Sequence, residues 1–328
     1  MRILVFGATG QVGHEVRRAA WPRSYEILAL DRACADIAKP TEVSAVIAQQ
    51  RPDLVLNLAA YTAVDRAEGE PETAWAVNSA GVAHIAAACG ESTTALIHLS
   101  TDYVFDGSKP GPYREDDEIK PLGVYGQSKE AGERAVRAAM ARHVILRTAW
   151  VYSAKGTNFV KTMLRLGAER PVLRVVADQR GCPTAAADIA AALVVIVTEI
   201  EHGRAVWGTF HYAGSGSTSW HGFAEKIIDL ATQCGAWPVA SKPRVEPITT
   251  DQYPTPARRP LNSVLDCRKI AEVFGISAPP WKTSLEPVVR ELLEEPAGRL
   301  PIKCPCDPAV RRGSAPQRSL VISRSSSL

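Results

Sequence analysis

The chain has 328 residues, of which 46% are hydrophobic, so it can bury a large core and is not intrinsically disordered over most of its length. Its net charge is +3, but residues 297–328 carry six basic residues against one acidic residue; this leaves about −2 on the rest and gives no sign of a nucleic-acid-binding face. No apolar stretch reaches the roughly 18 residues of a membrane helix, and a strand follows Met1 without a signal peptide, so we expect a cytoplasmic protein without membrane contact.

The first half of the chain alternates between apolar strand-like runs and amphipathic helix-like stretches. Strands are predicted at 3–6, 26–31, 53–58, 95–99 and 144–147, and helices at 12–20, 41–49, 71–89 and 125–141. Such alternation is typical of a parallel, doubly wound α/β sheet. The strands are continuous apolar runs, as expected where helices cover both faces of a sheet.

The second half is less regular. It is predicted to hold helices at 158–166, 186–199, 219–232, 268–274 and 283–294, and short strands at 172–175 and 210–212. We therefore expect a main domain at 1–152, to which 184–208 return, and a smaller mixed α/β lobe formed by 153–183 and 209–296. Residues 297–328, rich in Pro, Ser, Gly and Arg, are predicted to be a disordered basic tail.

A glycine-rich turn follows the first strand. Gly7, Gly10 and Gly13 are spaced GxxGxxG, with Gln11 and Val12 between the last two, and a helical stretch follows. Glycines at these positions let the backbone turn tightly and approach a pyrophosphate, which the helix N-terminus attracts. The strand–turn–helix context favours a Rossmann-type dinucleotide site over an ordinary turn.

Residues after the second and third strands bear on the choice of cofactor. Asp31 is typical of NAD-binding proteins because an acidic side chain there binds the ribose hydroxyls, whereas Arg32 could pair with the 2′-phosphate of NADP. We therefore expect NADPH or NADH. Asp36 and Ile37 could meet the adenine, although Asp36 could equally be a turn or cap residue. The third strand ends in residues that leave room for the cofactor: Ala59, Ala60 and Tyr61.

Tyr125 and Lys129 lie four residues apart at the start of a predicted helix, which places them on one face. Thr101 ends the fourth strand, at the sheet edge where open α/β folds bind ligands. A phenol with a pKa near 10 transfers protons at neutral pH only if a cation stabilises its phenolate, and Lys129 supplies that charge. The trio predicts carbonyl reduction beside the bound cofactor, with Tyr125 as proton donor. Lys129 would also hold the cofactor ribose, and Thr101 would hydrogen-bond the carbonyl oxygen. The alternative is structural: a packed Tyr125, a solvated Lys129 and a turn-closing Thr101.

These motifs, with the loop 103–107, resemble the extended short-chain dehydrogenase/reductase superfamily. Segments 58–65, 100–107, 147–152, 178–184 and 259–263 are similar to the dTDP-4-dehydrorhamnose reductase family, and the resemblance runs from residue 2 to about 295. It implies reduction of the 4-keto group of dTDP-4-dehydro-β-L-rhamnose by NAD(P)H in dTDP-rhamnose biosynthesis. The smaller lobe would then bind the nucleotide sugar.

The resemblance also implies roles for single residues. It assigns acid–base chemistry to Tyr125, with Lys129 and Thr101 in support. It places three residues near the sugar: Asp102, Tyr103 and Trp150. Gln179, Arg258 and Arg259 could hold the nucleotide, and Glu291 and Glu294 could bind Mg²⁺ at a dimer contact, although exposed surface positions explain these arginines and glutamates equally well. A core-packing role remains open for Trp150, and we expect a monomer or a homodimer.

Two other functions remain open. A nucleotide-sugar epimerase or dehydratase would share the fold, although Tyr103 stands where dehydratases carry an acidic partner after Thr101 and Asp102. A non-catalytic, cofactor-binding regulatory subunit would belong to another class. The presence of Thr101, Tyr125, Lys129 and Trp150 favours the reductase.

Overall fold

The computed structural model describes residues 1–204 and 206–294. The strands of this part of the chain are β1 Arg2–Phe6, β2 Glu26–Leu30, β3 Leu54–Asn57, β4 Ala95–Thr101, β5 His143–Thr148, β6 Val151–Tyr152, β7 Val172–Val176, β8 Arg180–Gly181, β9 Thr184–Ala185, β10 Gly208–His211, β11 Thr218–Ser219 and β12 Arg244–Ile248. The α-helices are α1 Gln11–Arg18, α2 Pro40–Gln50, α3 Val64–Gly69, α4 Pro71–Trp75, α5 Val82–Gly90, α6 Val124–Ala139, α7 Phe159–Glu169, α8 Ala186–Glu201, α9 Trp220–Gln233, α10 Arg268–Phe274 and α11 Trp281–Glu294. The rest is a π-helical turn at Ala76–Gly81, three short 3₁₀ helices and loops.

Six parallel strands form the central sheet, in the order β10-β5-β4-β3-β1-β2. Phe6 at the end of β1 is level with Leu30 of β2 and Asn57 of β3, so the carboxyl ends of these strands form one edge. The chain leaves β1 in one direction toward β2 and later crosses to β3 on the other side. Such a switch point opens a ligand crevice above the strand ends. The predicted Rossmann-type, doubly wound sheet is confirmed.

The central sheet is buried on both faces because its side chains alternate between two cores. Ile3 and Val5 pack with α1 and α8, whereas Leu4 and Phe6 pack with α2 and α5. Burial of this apolar surface is the main favourable contribution to the stability of the sheet. The strand ends are thereby held rigidly beneath the crevice.

The smaller lobe has its own core. Strands β7 and β12 pair in parallel, and α7, α9 and α11 contribute buried side chains such as Phe223 and Leu285. Helix α8 packs on α1, within the main core. Strand β10 also belongs to the main sheet, because it pairs with β5, although the expected division placed residues from 209 onward in the smaller lobe.

Several elements differ from the sequence-based prediction. The helix predicted at 71–89 is divided into α4, the π-helical turn and α5. Helix α3 was missed because it spans six residues and has no side-chain cap. Strand β12 was missed because its sequence, RVEPI, is neither an apolar run nor free of proline. The predicted tail, 297–328, lies outside the described residues. Among the described helices, none has the length and hydropathy to cross a membrane.

Candidate active site

The glycine-rich turn forms a cradle that only glycine can build. Gly7 has a φ of +82°, and a Cβ there would lie 2.5 Å from the Ala59 nitrogen. A Cβ on Gly13 would lie 2.2 Å from the Gly7 carbonyl oxygen. Helix α1 follows with no side-chain cap on Gly10 and no acidic residue in its first turn, so its N–H groups suit an anion. This cradle fits the pyrophosphate of a dinucleotide.

The side chains between these glycines have other contacts. The Gln11 side-chain oxygen accepts a hydrogen bond from Asn158 at 2.8 Å, which ties α1 to the smaller lobe. The Val12 side chain is buried in the main core. The Gln11 oxygen and the Val12 side chain are thus engaged within the protein, and the backbone N–H groups of both residues at the start of α1 are suited to a cofactor.

Replacing Gly13 with alanine is expected to lower the free energy of unfolding by about 1–3 kcal/mol, because the new methyl group collides with backbone atoms that cannot move aside. The change also displaces the turn, so the dissociation constant for NADPH should rise by about tenfold or more. Gly69→Ala is the matched control, since no atom lies within 4 Å of the added Cβ. Urea unfolding and cofactor fluorescence titration of both variants test this; equal behaviour would contradict it.

The predicted adenosine-binding residues lie together after β2. The Asp31 carboxylate accepts a hydrogen bond from the Cys34 backbone, and Arg32 pairs with Asp36 at 2.9 Å. This exposed pair leaves the guanidinium accessible. Ile37 is buried against Gly81 in the core, although the prediction was that it would pack on the adenine. Burial of its side chain leaves at most an edge for a ligand.

The loop after β3 is held by the π-helical turn. The Asn78 side chain accepts a hydrogen bond from the Tyr61 N–H at 2.8 Å and donates to the Tyr61 carbonyl at 3.0 Å and the Ser128 hydroxyl at 3.1 Å. Ala59 and Ala60, just before Tyr61, are partly exposed. A buried amide thus joins the third strand end to α6.

Thr101 and Tyr125 meet where β4 ends and α6 begins. The Thr101 hydroxyl lies beside the Tyr125 phenol and donates to the Asp102 carboxylate at 3.0 Å. Helix α6 can approach β4 this closely because residue 126 is glycine: a Cβ there would lie 2.3 Å from the Tyr103 carbonyl oxygen. Burial raises the pKa of Tyr125 to about 12, against the opposing effect of the Thr101 hydroxyl. Tyr125 is therefore a neutral phenol at physiological pH.

Lys129 lies one turn further along α6 and is 2% exposed. Its ammonium donates to the Leu99 carbonyl at 2.7 Å and lies 3.4 Å from His98 Nε2. Burial lowers the pKa of Lys129 to about 8, although the Glu133 carboxylate acts in the opposite direction. Lys129 is not the solvated lysine of the structural alternative.

Asp102 and Tyr103 follow Thr101 in a 3₁₀ turn. Asp102 is almost fully buried, which raises the pKa of its carboxyl to about 7. The Tyr103 ring meets the Tyr125 ring edge to face, at 5.6 Å. The Arg259 guanidinium lies beside Tyr103 and pairs with Asp65 of α3 at 2.7 Å. Arg259 therefore joins the smaller lobe to this site.

Trp150 adopts a φ of +46°, which is rare for a bulky residue. Its ring is stacked on Trp220 of α9 at 3.5 Å and 4°, so one face is covered by protein. Gly181 lies against the same ring, since a Cβ there would be 2.3 Å from it. Trp150 is thus packed between strand and helix and can offer a ligand only its remaining surface.

The other predicted residues lie outside this cluster. Gln179 is buried and donates to the Thr250 hydroxyl at 3.1 Å. Glu291 pairs with Arg18 at 3.3 Å and with Lys155 at 3.8 Å. Within 1–204 and 206–294, no group of three or more His, Cys, Asp or Glu side chains is arranged to hold a metal ion.

The sequence analysis overlooked a buried charge pair beneath Lys129. Glu133 and Arg147 are at most 1% exposed and form two hydrogen bonds, at 2.9 and 2.7 Å. A sequence signal existed, because Glu133 lies four residues after Lys129 on the same face of α6. His98 was also overlooked, although a histidine inside an apolar strand is itself unusual.

Comparison with known proteins agrees with this architecture. The family model described as the RmlD substrate binding domain matches residues 1–294. A dTDP-4-dehydrorhamnose reductase from Sinorhizobium fredii is 46% identical over 90% of this chain and 99% of its own length. Among solved structures, the chain is similar to the dTDP-4-dehydrorhamnose reductase of Clostridium acetobutylicum, with a TM-score of 0.82 and 36% identity over 90% of this chain and 100% of that one.

A further solved structure is that of the dTDP-4-dehydrorhamnose reductase from Bacillus anthracis in complex with NADP. It has a TM-score of 0.81 and 35% identity over 88% of this chain and 99% of that chain. The glycine cradle, the buried Thr101–Tyr125–Lys129 cluster and these relatives lead to one conclusion: the chain belongs to the dTDP-4-dehydrorhamnose reductase family of oxidoreductases.

Proposed function

We propose that the protein reduces the 4-keto group of dTDP-4-dehydro-β-L-rhamnose to dTDP-L-rhamnose, with NAD(P)H as hydride donor. The observation that carries the proposal is the placement of the Thr101 hydroxyl beside the Tyr125 phenol at the carboxyl end of the sheet, one helical turn from the buried Lys129. This is a carbonyl-reducing arrangement on the same edge as the glycine cradle. The identity of the sugar substrate is inferred from the relatives, which are named dTDP-4-dehydrorhamnose reductases.

In this proposal, each residue has a defined task. Tyr125, a neutral phenol, donates its proton to the oxygen of the 4-keto group as the carbonyl carbon is reduced. The Thr101 hydroxyl turns from Asp102 toward the substrate and donates a second hydrogen bond to the same oxygen, where negative charge develops. The nearby charge of Lys129 lowers the free energy of the phenolate left on Tyr125. Burial excludes water, which strengthens these interactions. NAD(P)H, when bound, supplies the hydride.

We further propose that Asp102, Tyr103 and the free surface of Trp150 contact the sugar. They come from two segments that the fold brings together: Asp102 and Tyr103 follow β4 next to the catalytic phenol, and Trp150 follows β5. Cytoplasmic location and assembly as a monomer or homodimer remain predictions, as does any use of Mg²⁺.

The test is a spectrophotometric assay. Purified protein is mixed with NADH or NADPH and with dTDP-4-dehydro-L-rhamnose, generated in place by the preceding epimerase. Stoichiometric cofactor oxidation with formation of dTDP-L-rhamnose is expected. Cofactor binding without oxidation would contradict the proposal and would favour an epimerase or a regulatory subunit.

Arg32→Ala is expected to raise the KM for NADPH by about tenfold and to leave that for NADH nearly unchanged. Arg32 is largely exposed beside Asp31 and can pair with a 2′-phosphate that only NADPH carries. Steady-state kinetics with both cofactors provide the measurement, and NADH is the internal control. An equal change in both KM values would show that Arg32 does not read the phosphate.

A further inference from the structure

His98 lies in the middle of β4, fully buried, between Asn57 and Lys129. Its Nδ1 is 3.1 Å from the Asn57 side-chain nitrogen, and its Nε2 is 3.4 Å from the Lys129 ammonium. Burial lowers the pKa of His98 well below its usual value, and the charge of Lys129 lowers it further. The ring is therefore neutral and carries one proton, on Nδ1 or on Nε2.

The backbone decides which nitrogen carries that proton. The Ala59 N–H donates to the Asn57 side-chain oxygen at 3.2 Å, so the Asn57 NH₂ group points at His98. An NH₂ group only donates; therefore, Nδ1 must accept. The proton of the neutral ring is consequently on Nε2, and the Nε2–H is directed at Lys129. The opposite tautomer would set two N–H groups of Asn57 and Ala59 against each other.

A directed N–H has opposite effects on the two forms of Lys129. The ammonium form of Lys129 has only N–H donors, so the His98 Nε2–H disfavours it. The neutral amine has a lone pair, which can accept a hydrogen bond from the Nε2–H. The amine could still donate to the Leu99 carbonyl, at 2.7 Å, and keep one N–H for a ligand. Every polar atom of a neutral Lys129 thus has a partner or faces the site.

We propose that His98, held by Asn57 with its proton on Nε2, is a positioning residue that sets the pH at which Lys129 exchanges its proton during turnover. The inference rests on the proposed function, in which Lys129 supports the proton transfer from Tyr125. His98 itself touches neither of the reacting groups. It acts through Lys129.

Other titratable groups also lie on the elements around Lys129 in the described part of the chain. On α6, Glu133 favours the ammonium and Tyr125 carries the transferred proton; Arg147 of β5 neutralises Glu133, and Asp102 lies beside Tyr125. The π-helical turn packed on α6 has no titratable residue, and His84 of α5 is hydrogen-bonded to the Ile37 carbonyl. On α3 and at its end, Asp65 pairs with Arg259, Glu70 pairs with Arg66, and Glu68 accepts the Val124 N–H at the start of α6. His98 is therefore the donor that disfavours the protonated form of Lys129, and Glu133 is the charge that favours it.

The first test is the pH profile of kcat/KM for reduction by the variant His98→Met. Methionine removes the Nε2–H donor and fills the space with an apolar side chain of similar size. Reduction needs the proton of the Tyr125–Lys129 pair, so activity falls as pH rises. Without the opposing N–H, Lys129 holds its proton to higher pH, and the alkaline limb should move up by about one pH unit. His98→Gln, whose amide can accept from Asn57 and donate to Lys129, should restore the wild-type limb.

His143→Met is the matched control, because this buried histidine at the start of β5 bonds only to the neighbouring Met140 carbonyl among the contacts described. The alkaline limb of the kcat/KM profile of His143→Met should lie at the same pH as that of the wild-type protein. An unshifted limb in His98→Met would mean that His98 is merely structural, and a downward shift would mean that His98 accepts from Lys129. Either result overturns the proposal.

The second test does not depend on activity. Nitrogen-15 NMR of the histidine-labelled wild-type protein distinguishes a protonated Nε2 from a protonated Nδ1, and loss of one signal in a His98 variant assigns it. A protonated Nε2 is expected; a protonated Nδ1 would refute the inference. Failure of the proposed function would instead appear as a wild-type protein that oxidises no cofactor.

Discussion

Tyr125→Phe is expected to lower kcat by a factor of about 100–10,000, because it removes the proton donor and leaves the ring in place. Loss of one hydroxyl hardly alters the cradle around Gly7 and Gly13, so the dissociation constant for NADPH should change less than threefold, on the order of the error expected for a distant site. Stopped-flow or steady-state measurement of cofactor oxidation, together with fluorescence titration, tests both statements.

A suitable control is Tyr152→Phe. Tyr152 is as well buried as Tyr125, and its hydroxyl donates to the Trp281 carbonyl at 3.3 Å in the smaller lobe. The control therefore loses a buried hydroxyl without losing the proton donor. Similar turnover in both variants would remove Tyr125 from the proposed mechanism.

Glu133→Ala is expected to lower the free energy of unfolding by about 3–5 kcal/mol. The change leaves Arg147 charged, fully buried and without its carboxylate partner. A guanidinium does not lose its charge at accessible pH, so it cannot escape the cost by deprotonation. Chemical unfolding followed by circular dichroism measures the difference.

Two further variants separate the loss of a buried charge partner from the loss of any ion pair. Glu169→Ala breaks a pair with Arg165 that is exposed on both sides and should cost less than about 1 kcal/mol. The double variant Glu133→Leu, Arg147→Met replaces the buried pair with apolar groups and should recover most of the lost stability. A loss in Glu133→Ala no larger than that in Glu169→Ala would contradict the assignment.

Arg259 illustrates why the predicted nucleotide contacts need the structure. Paired arginines at 258 and 259 suggested a site for the diphosphate, but in the structure Arg259 binds Asp65 and Thr255 and lies beside Tyr103. Its partner Asp65 is 194 residues away. Sequence alone shows that a cation is present, but not which anion the fold brings to it.

Local sequence patterns were enough to predict the fold class of this protein and its candidate catalytic residues. The GxxGxxG spacing, the alternation of apolar runs with helices, and Tyr125 one turn before Lys129 are each written in consecutive residues, because turn geometry and helical periodicity act over short distances. They sufficed to predict the doubly wound sheet and to select the residues of the candidate catalytic cluster.

Contacts between distant segments were decided only by the tertiary structure. His98 meets Asn57 from 41 residues away, and β10 joins the sheet beside β5 after the chain has passed through the smaller lobe. The burial of Lys129, which lowers its pKa to about 8, likewise arises from packing against β4. Desolvation and hydrogen-bond partners depend on which surfaces meet in space. The sequence thus identified the side chains of the candidate site, and the packing of strands and helices determined their charge states and hydrogen-bond partners.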